Sequence, residues 1–413
     1  MATTPTKSRV RELPSDVNIS GRNFGPEELK NLTKVLESGT LNCTKGTWVT
    51  QFEADFAKHY GSPYARCTTS GTAAIHAAVA AIDPEPGDEI ITTPITDMGA
   101  LTPIVYQTAI PIFADVDPYT YNVTAETIEP QITPRTKAIV VTHLFGNPCD
   151  MDPIMELARS KGIPVIEDAA QSFYTEYKGR RAGTIGDIGA FSLQQGKHMT
   201  TGEGGIVLVN NDQYTRRTRL FIDKAWGYGD KSPDHYFLAL NYRMTELCGA
   251  VACAQFHKVE KVVEARVRNA DLMTKLIADL DGVYAPKLEN GTTKHVYWKY
   301  CLRVDPKLIT GGVDAFARAL KERGIFSAPR YIQKPAFACE VFRDQVTFGK
   351  SGFPFRGPHR QGLPPVEYNI EDYPGTVEAL NTICVLPWNE FYTEDDVRYI
   401  AEAVIETARQ LRV

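Results

Sequence analysis

Between Phe24 and Ala254 the chain alternates short apolar runs with stretches of helical spacing, and this alternation limits the fold more than any other feature of the sequence. The runs at residues 65–67, 89–92, 111–114, 138–142, 164–166, 188–193 and 206–209 are too short for buried helices and read as strands. Helical candidates at 72–82, 151–161 and 213–221 lie between several of them. A helix opening at Pro26 and another over 52–61, stopped by Gly61, come first. Strands joined through helices run mostly parallel, with helices on both faces of the sheet. Ligands of such sheets gather at the carboxyl ends of the strands. Residues just past each strand are therefore the place to seek chemistry.

After about Ala254 the pattern changes. A helical run at 258–277 leads into a shorter β/α set at 295–304 and 313–323, and a last helix spans Glu394 to about Gln410. The expected organisation is a loose polar arm over 1–20, a large domain over 21–255 and a small C-terminal α/β domain over 256–413. The stretch 340–374 is rich in Gly, Pro, Arg and aromatics without periodicity, which marks it as functional or mobile.

The formal net charge of −5 and the lack of a basic patch argue against nucleic acid as the main partner. No apolar run approaches the ~20 residues of a membrane span. The first residues, MATTPTKSRVRELPSD, lack the apolar region of a secretory signal. The eight cysteines are scattered with no C-x-x-C pair, as expected of reduced thiols in a cytoplasmic protein.

Four segments at predicted strand ends carry candidate chemistry. Thr68-Thr69-Ser70-Gly71-Thr72 opens a helix with small residues, which is either an anion cradle or a simple Ser/Thr N-cap. The apolar run ending in Glu167-Asp168 delivers a carboxylate to the sheet edge. Asp168 would suit the ring nitrogen of a pyridine cofactor, and an ordinary surface Asp or a ribose-binding acid is the plainer reading. Ser192 ends a strand, and Lys197 follows in a turn of small residues before Thr201-Gly202-Glu203-Gly204-Gly205. A desolvated lysine there could form an imine, whereas most single lysines are solvated surface charges. A phosphate-binding G-x-x-x-x-G-K-[S/T] loop is excluded, since Phe191 stands at its first Gly and His198 at its Ser/Thr. A G-x-G-x-x-G dinucleotide turn is also missing.

Taken together, Glu167–Gln171, Gly186-Asp187-Ile188-Gly189 with Phe191-Ser192, Lys197 and Thr201–Gly205 resemble the DegT/DnrJ/EryC1/StrS aminotransferases. Supporting segments are Ser70-Gly71-Thr72, Val140–His143 with Gly146, and Asn241–Glu246. The resemblance implies a fold type I pyridoxal-phosphate (PLP) enzyme, with a largely parallel seven-stranded sheet sandwiched by helices and a smaller C-terminal domain. It implies Lys197 as the Schiff-base lysine and Asp168 as the partner of the ring nitrogen. Gln171 would lie near the ring hydroxyl, and Gly71, Thr72 and Ser192 would bind the phosphate. Asn241 would reach the phosphate of a neighbouring subunit's cofactor, making a homodimer with shared active sites. For His143 a site role and a packed core histidine both stay open. Where the family places an aromatic on the ring face, this chain reads Pro94-Ile95-Thr96-Asp97-Met98-Gly99. The ring would meet Met98 or Asp97, and Asp97 could instead bind substrate. Arg330 and Tyr331 are further substrate candidates. The implied reaction moves an amino group from glutamate or glutamine to a keto-sugar, possibly nucleotide-linked, or a keto-cyclitol, by a ping-pong mechanism. A PLP-dependent dehydratase or lyase, or a PLP-binding regulator without turnover, are the alternatives.

Overall fold

A computed structural model of the chain describes residues 11–413. All seven predicted strands are present in one sheet, as β1 (Tyr64–Thr68), β2 (Glu89–Thr92), β3 (Ile110–Phe113), β4 (Thr136–Thr142), β5 (Val165–Asp168), β6 (Ile188–Ser192) and β7 (Gly205–Val209). Their order is β1-β7-β6-β5-β4-β2-β3. The five strands from β6 to β3 run parallel, while β7 lies antiparallel to both its neighbours. No helix separates β6 from β7, so the chain can only turn back beside the strand it has just left.

The middle positions of the inner strands are apolar on both sides because both faces of the sheet are covered, and the polar residues gather at the strand ends. Two helices, α1 (Pro26–Ser38) and α2 (Trp48–Tyr60), come before β1. Ala138 and Val140 of β4 pack with the third, α3 (Gly71–Ile82), whereas Ile139 and Val141 face the core that includes Met151 and Ile154 of a helix spanning Met151–Lys161. Ser70 caps α3 by accepting a bond from Ala73 N at 3.0 Å, and most of the helix is buried. A helix so apolar on all sides belongs inside.

A second sheet is antiparallel and joins β8 (Val283–Tyr284), β9 (Lys299–Val304), β10 (Ala328–Pro329) and β11 (Ile383–Pro387) in the order β8-β9-β11-β10. Its core gathers Leu302, Leu386 and Trp388 with Phe316, Val397 and Val404. The helices Val259–Leu276, Gly312–Glu322 and Glu394–Leu411 supply the rest.

Two placements depart from the expected organisation. Residues 336–373 pack on the edge of the large sheet and not on the second one: Phe337, Phe342 and Tyr368 surround Phe113 of β3 at 5.1–5.8 Å, and Tyr368 Oη donates to Pro111 O at 2.6 Å. An edge strand with open carbonyls and apolar side chains needs such a cover. Of the expected loose arm, residues 1–10 lie outside the described residues. Residues further on are held in place, because the Asp16 carboxylate accepts bonds from Asn389 at 2.7 Å and from Arg266 and Lys299 at 3.3 Å.

Candidate active site

The carboxyl ends of β1, β2, β5 and β6 converge on one cavity of about 180 Å³. Ser70, Gly71, Thr72 and Ser192 form one wall, Asp168 and Gln171 the floor, and Lys197 and Asp97 approach from two further loops. The structure thus brings together Lys197 and Asp168, which lie 29 positions apart in sequence, on a single pocket.

Asp168 ends β5, paired with Thr142 on one side and Ala190 on the other, so its backbone is fixed by two ladders. Its buried carboxylate accepts from Ala170 N at 3.0 Å and from Thr142 Oγ1 at 3.5 Å. Burial raises its proton affinity above the ordinary carboxylate value, opposed by the Ala170 N–H and by the charge of Lys197. Such a carboxylate is ready to bind a cationic ring N–H.

Lys197 stands in the turn after β6, with its Nζ 4.2 Å from the centroid of the Trp298 ring. Burial lowers its pKa to about 8; Lys299 pushes the same way, and Asp168 and Asp97 oppose. The amine therefore gives up its proton far more readily than a surface lysine.

The neighbouring acid has another task. Glu167 is fully buried and accepts from Ile185 N, Gly186 N and Gly183 N at 2.6–2.8 Å and from His143 Nε2 at 2.8 Å. His143 Nδ1 in turn accepts from Cys149 N at 3.0 Å, which leaves the ring proton on Nε2. His143 is thus a core histidine with both nitrogens occupied, and it does not line the cavity. His198 also turns inward, its Nε2 3.2 Å from Val296 O.

Small residues let the anion wall close up. A Cβ on Gly71 would stand 2.7 Å from Ser192 Cβ. The α3 terminus directs its free N–H groups and the positive end of its dipole at this wall. Gln171 Oε1 accepts from Phe145 N at 2.7 Å, and its Nε2 donates to Tyr331 Oη at 3.2 Å, which fixes both side chains beside the floor.

Three candidates fall elsewhere. Met98 packs against the apolar cluster under residues 336–373 and does not line the cavity, whereas the adjacent Asp97 does. The turn Met98–Ala100 explains this: Asp97 caps it by accepting from Gly99 N at 2.8 Å, and the next side chain points the other way. Arg330 is engaged in a two-pronged ion pair with Asp314, off the cavity. Asn241 is exposed and absent from this pocket. Trp298, beside Lys197, gives no signal in the sequence beyond its place in the predicted β/α set at 295–304.

An amine, a strand-end carboxylate and an anion cradle on one cavity are the donor set that a phosphorylated pyridine aldehyde requires. Comparison with known proteins agrees. The sequence pattern of the DegT/DnrJ/EryC1/StrS aminotransferase family matches residues 23–356. GDP-perosamine synthase of Caulobacter vibrioides is 36% identical over 298 residues, 70% of this chain and 79% of that protein. The spore coat polysaccharide biosynthesis protein SpsC of Bacillus subtilis is 31% identical over 92% of this chain and 94% of its own length. Among solved structures, an aminotransferase from Psychrobacter cryohalolentis superposes with a TM-score of 0.83 at 30% identity, covering 95% of this chain and 98% of that one.

The chain belongs to the DegT/DnrJ/EryC1/StrS aminotransferase family. It is a PLP-dependent sugar aminotransferase with the fold type I architecture that the resemblance implied. No helix among the described residues is long and apolar enough to cross a membrane.

Proposed function

We propose that this enzyme takes an amino group from glutamate or glutamine and delivers it, in two separate half-reactions, to a keto-sugar carried on a nucleotide. The observation that carries the chemistry is the meeting of Lys197 and Asp168 on one cavity beside an anion cradle. The nucleotide-linked acceptor is supported by the relatives named GDP-perosamine synthase from Caulobacter vibrioides, Escherichia coli O157:H7 and Vibrio cholerae.

When bound, pyridoxal phosphate supplies an aldehyde that condenses with amines and a ring that takes up the electron pair released at Cα. Asp168 keeps a proton on the ring nitrogen, so that this electron sink stays charged. Gly71, Thr72 and Ser192 receive the phosphate on the α3 terminus. Lys197 holds the cofactor between turnovers. Its amine, free once a substrate amine has taken its place, would serve as the base and acid that moves the proton taken from the donor's Cα. Gln171, braced by Tyr331, borders the ring hydroxyl. Asp97 faces the cavity as a carboxylate suited to a substrate amine or hydroxyl. Asn241, exposed on its own subunit, serves the cofactor phosphate of a second copy in a homodimer.

Adding glutamate or glutamine alone to the loaded enzyme should convert the cofactor to its amine form and release the matching 2-oxo acid. A subsequent panel of nucleotide-linked keto-sugars and free keto-cyclitols, read by mass spectrometry, should yield an aminated product only with the former. Failure of the first half ends the aminotransfer assignment for these residues, and turnover of cyclitols alone ends the nucleotide-linked one.

A further inference from the structure

The turn that carries Lys197 is held by side chains from remote parts of the chain. Its N–H groups are served locally: Lys197 N donates to Gln194 O at 2.9 Å and Gly196 N to Gln194 Oε1 at 2.7 Å. Its carbonyls are not. Arg22 Nη2 donates to Gln195 O, Trp298 Nε1 to Gly196 O at 2.7 Å and Arg22 Nη1 to Lys197 O at 2.8 Å. Three consecutive carbonyls are thus fixed by two side chains, lying 175 positions before and about 100 after the turn.

Arg22 is only 5% exposed, and its third nitrogen is also engaged: Nε donates to Asp16 O at 2.9 Å. The same carbonyl accepts from Gln195 Nε2 at 2.9 Å, which closes a ring of contacts between residues 16, 22 and 195. The Asp16 carboxylate then reaches the second sheet and its helices through Arg266, Lys299 and Asn389. Arg266 is itself locked by Glu390 at 2.9 Å and by Trp388 O at 2.6 Å. A planar guanidinium presents its donors in a fixed fork that suits carbonyls two residues apart, a geometry that a rotating ammonium does not fix.

We infer that Arg22, oriented by Asp16, and Trp298 are positioning residues that hold the Lys197 turn and tie it to the C-terminal sheet. The inference rests on Lys197 as the lysine that handles the cofactor. The amine must visit two reaction atoms within bonding reach, and a turn shifted by about 1 Å can lower a rate on the order of 100-fold. The nearby donor Gln195 Nε2 is engaged with Asp16 O, so the side-chain restraint on those carbonyls comes from Arg22 and Trp298.

The test uses full-length, cofactor-loaded Arg22→Gln, Arg22→Lys and Trp298→Phe, the last of which keeps the aromatic ring and removes only the N–H. In Arg22→Gln, kcat should fall on the order of 10- to 100-fold with little change in acceptor KM. Amide exchange over residues 194–200 should accelerate, while the helix Val259–Leu276 keeps its protection. Arg22→Lys should restore little of either, and Trp298→Phe should show the same exchange pattern more weakly. Wild-type kcat and exchange in Arg22→Gln would overturn the inference, and so would acceleration spread evenly over the chain. Should Arg22→Gln not fold, Trp298→Phe decides alone by the same readouts. Failure here leaves the role of Lys197 standing, since that role is tested by removing its amine.

Discussion

The two walls of the cavity are built on different principles. The anion wall is local: Ser70, Gly71 and Thr72 are consecutive, the helix they begin provides the N–H groups, and a missing Cβ at 71 admits Ser192. The lysine wall is assembled from afar, with Arg22, Trp298 and Asp16 converging on a turn that could not fix itself. Binding an ion needs only pre-aimed donors, which a helix end offers at once. Moving a proton between two atoms would need an amine held to a fraction of an ångström, and the side chains that hold its turn come from distant parts of the chain.

The contrast breaks most visibly at the reactive groups themselves. Lys197→Ala should remove turnover altogether, along with the absorbance of the covalently held cofactor, while phosphate-dependent binding persists; retained single-turnover activity would end the comparison. Asp168→Asn should lower kcat on the order of 10²- to 10³-fold, as removing one preorganised charge typically does, with thermal stability close to wild type. Gly71→Ala acts on the other wall. Its Cβ would force Ser192 away at a cost of about 1–3 kcal/mol, so cofactor affinity should weaken by roughly tenfold or more in equilibrium dialysis, and kcat at saturating cofactor should change less.

A smaller effect concerns pH. The neutral amine is the nucleophile, and burial brings the Lys197 pKa down to about 8. Uptake of pyridoxal phosphate by the cofactor-free protein should therefore speed up as pH rises to about 8 and then level off, well short of the 10.5 of an ordinary lysine. Lys299→Met removes a neighbouring cation that favours the neutral amine, so the midpoint should move upward. The least effect is expected from Arg330→Ala. Its partly exposed pair with Asp314 is worth ~0.2–1 kcal/mol, visible as a small loss of thermal stability with kcat unchanged.

Much of this was legible in the sequence where information is local. Each of the seven strands was marked by its apolar run, and Asp168 and Lys197 by their positions after such runs. The run at 164–166 stopped short of the observed strand end because Glu167 and Asp168 are charged, yet ladder bonds to Thr142 and Ala190 carry the strand to 168. Met98 was a reasonable candidate for the ring face by its neighbours, but one residue in a tight turn reverses a side chain's direction, and Asp97 faces the cavity instead. The charge of Arg330 suggests a substrate contact, but the pairing with Asp314 that occupies it joins elements no spacing relates. The segment over 340–374 has no periodicity because it lies as a cover on an edge strand and forms no layer of its own. Arg22 and Asp16 gave no signal at all, since their partners are set only by the tertiary fold.

The strand order has a consequence for biosynthesis. Among the described residues β1 pairs with β7 alone, so the first strand of the large sheet to leave the ribosome waits for the last strand of that sheet, some 140 residues later. Until residues 205–209 emerge, β1 lacks its ladder and Ser70 is held beside Ser192 only by the packing of α3 on β6, so a nascent chain halted before that point should retain the cofactor poorly.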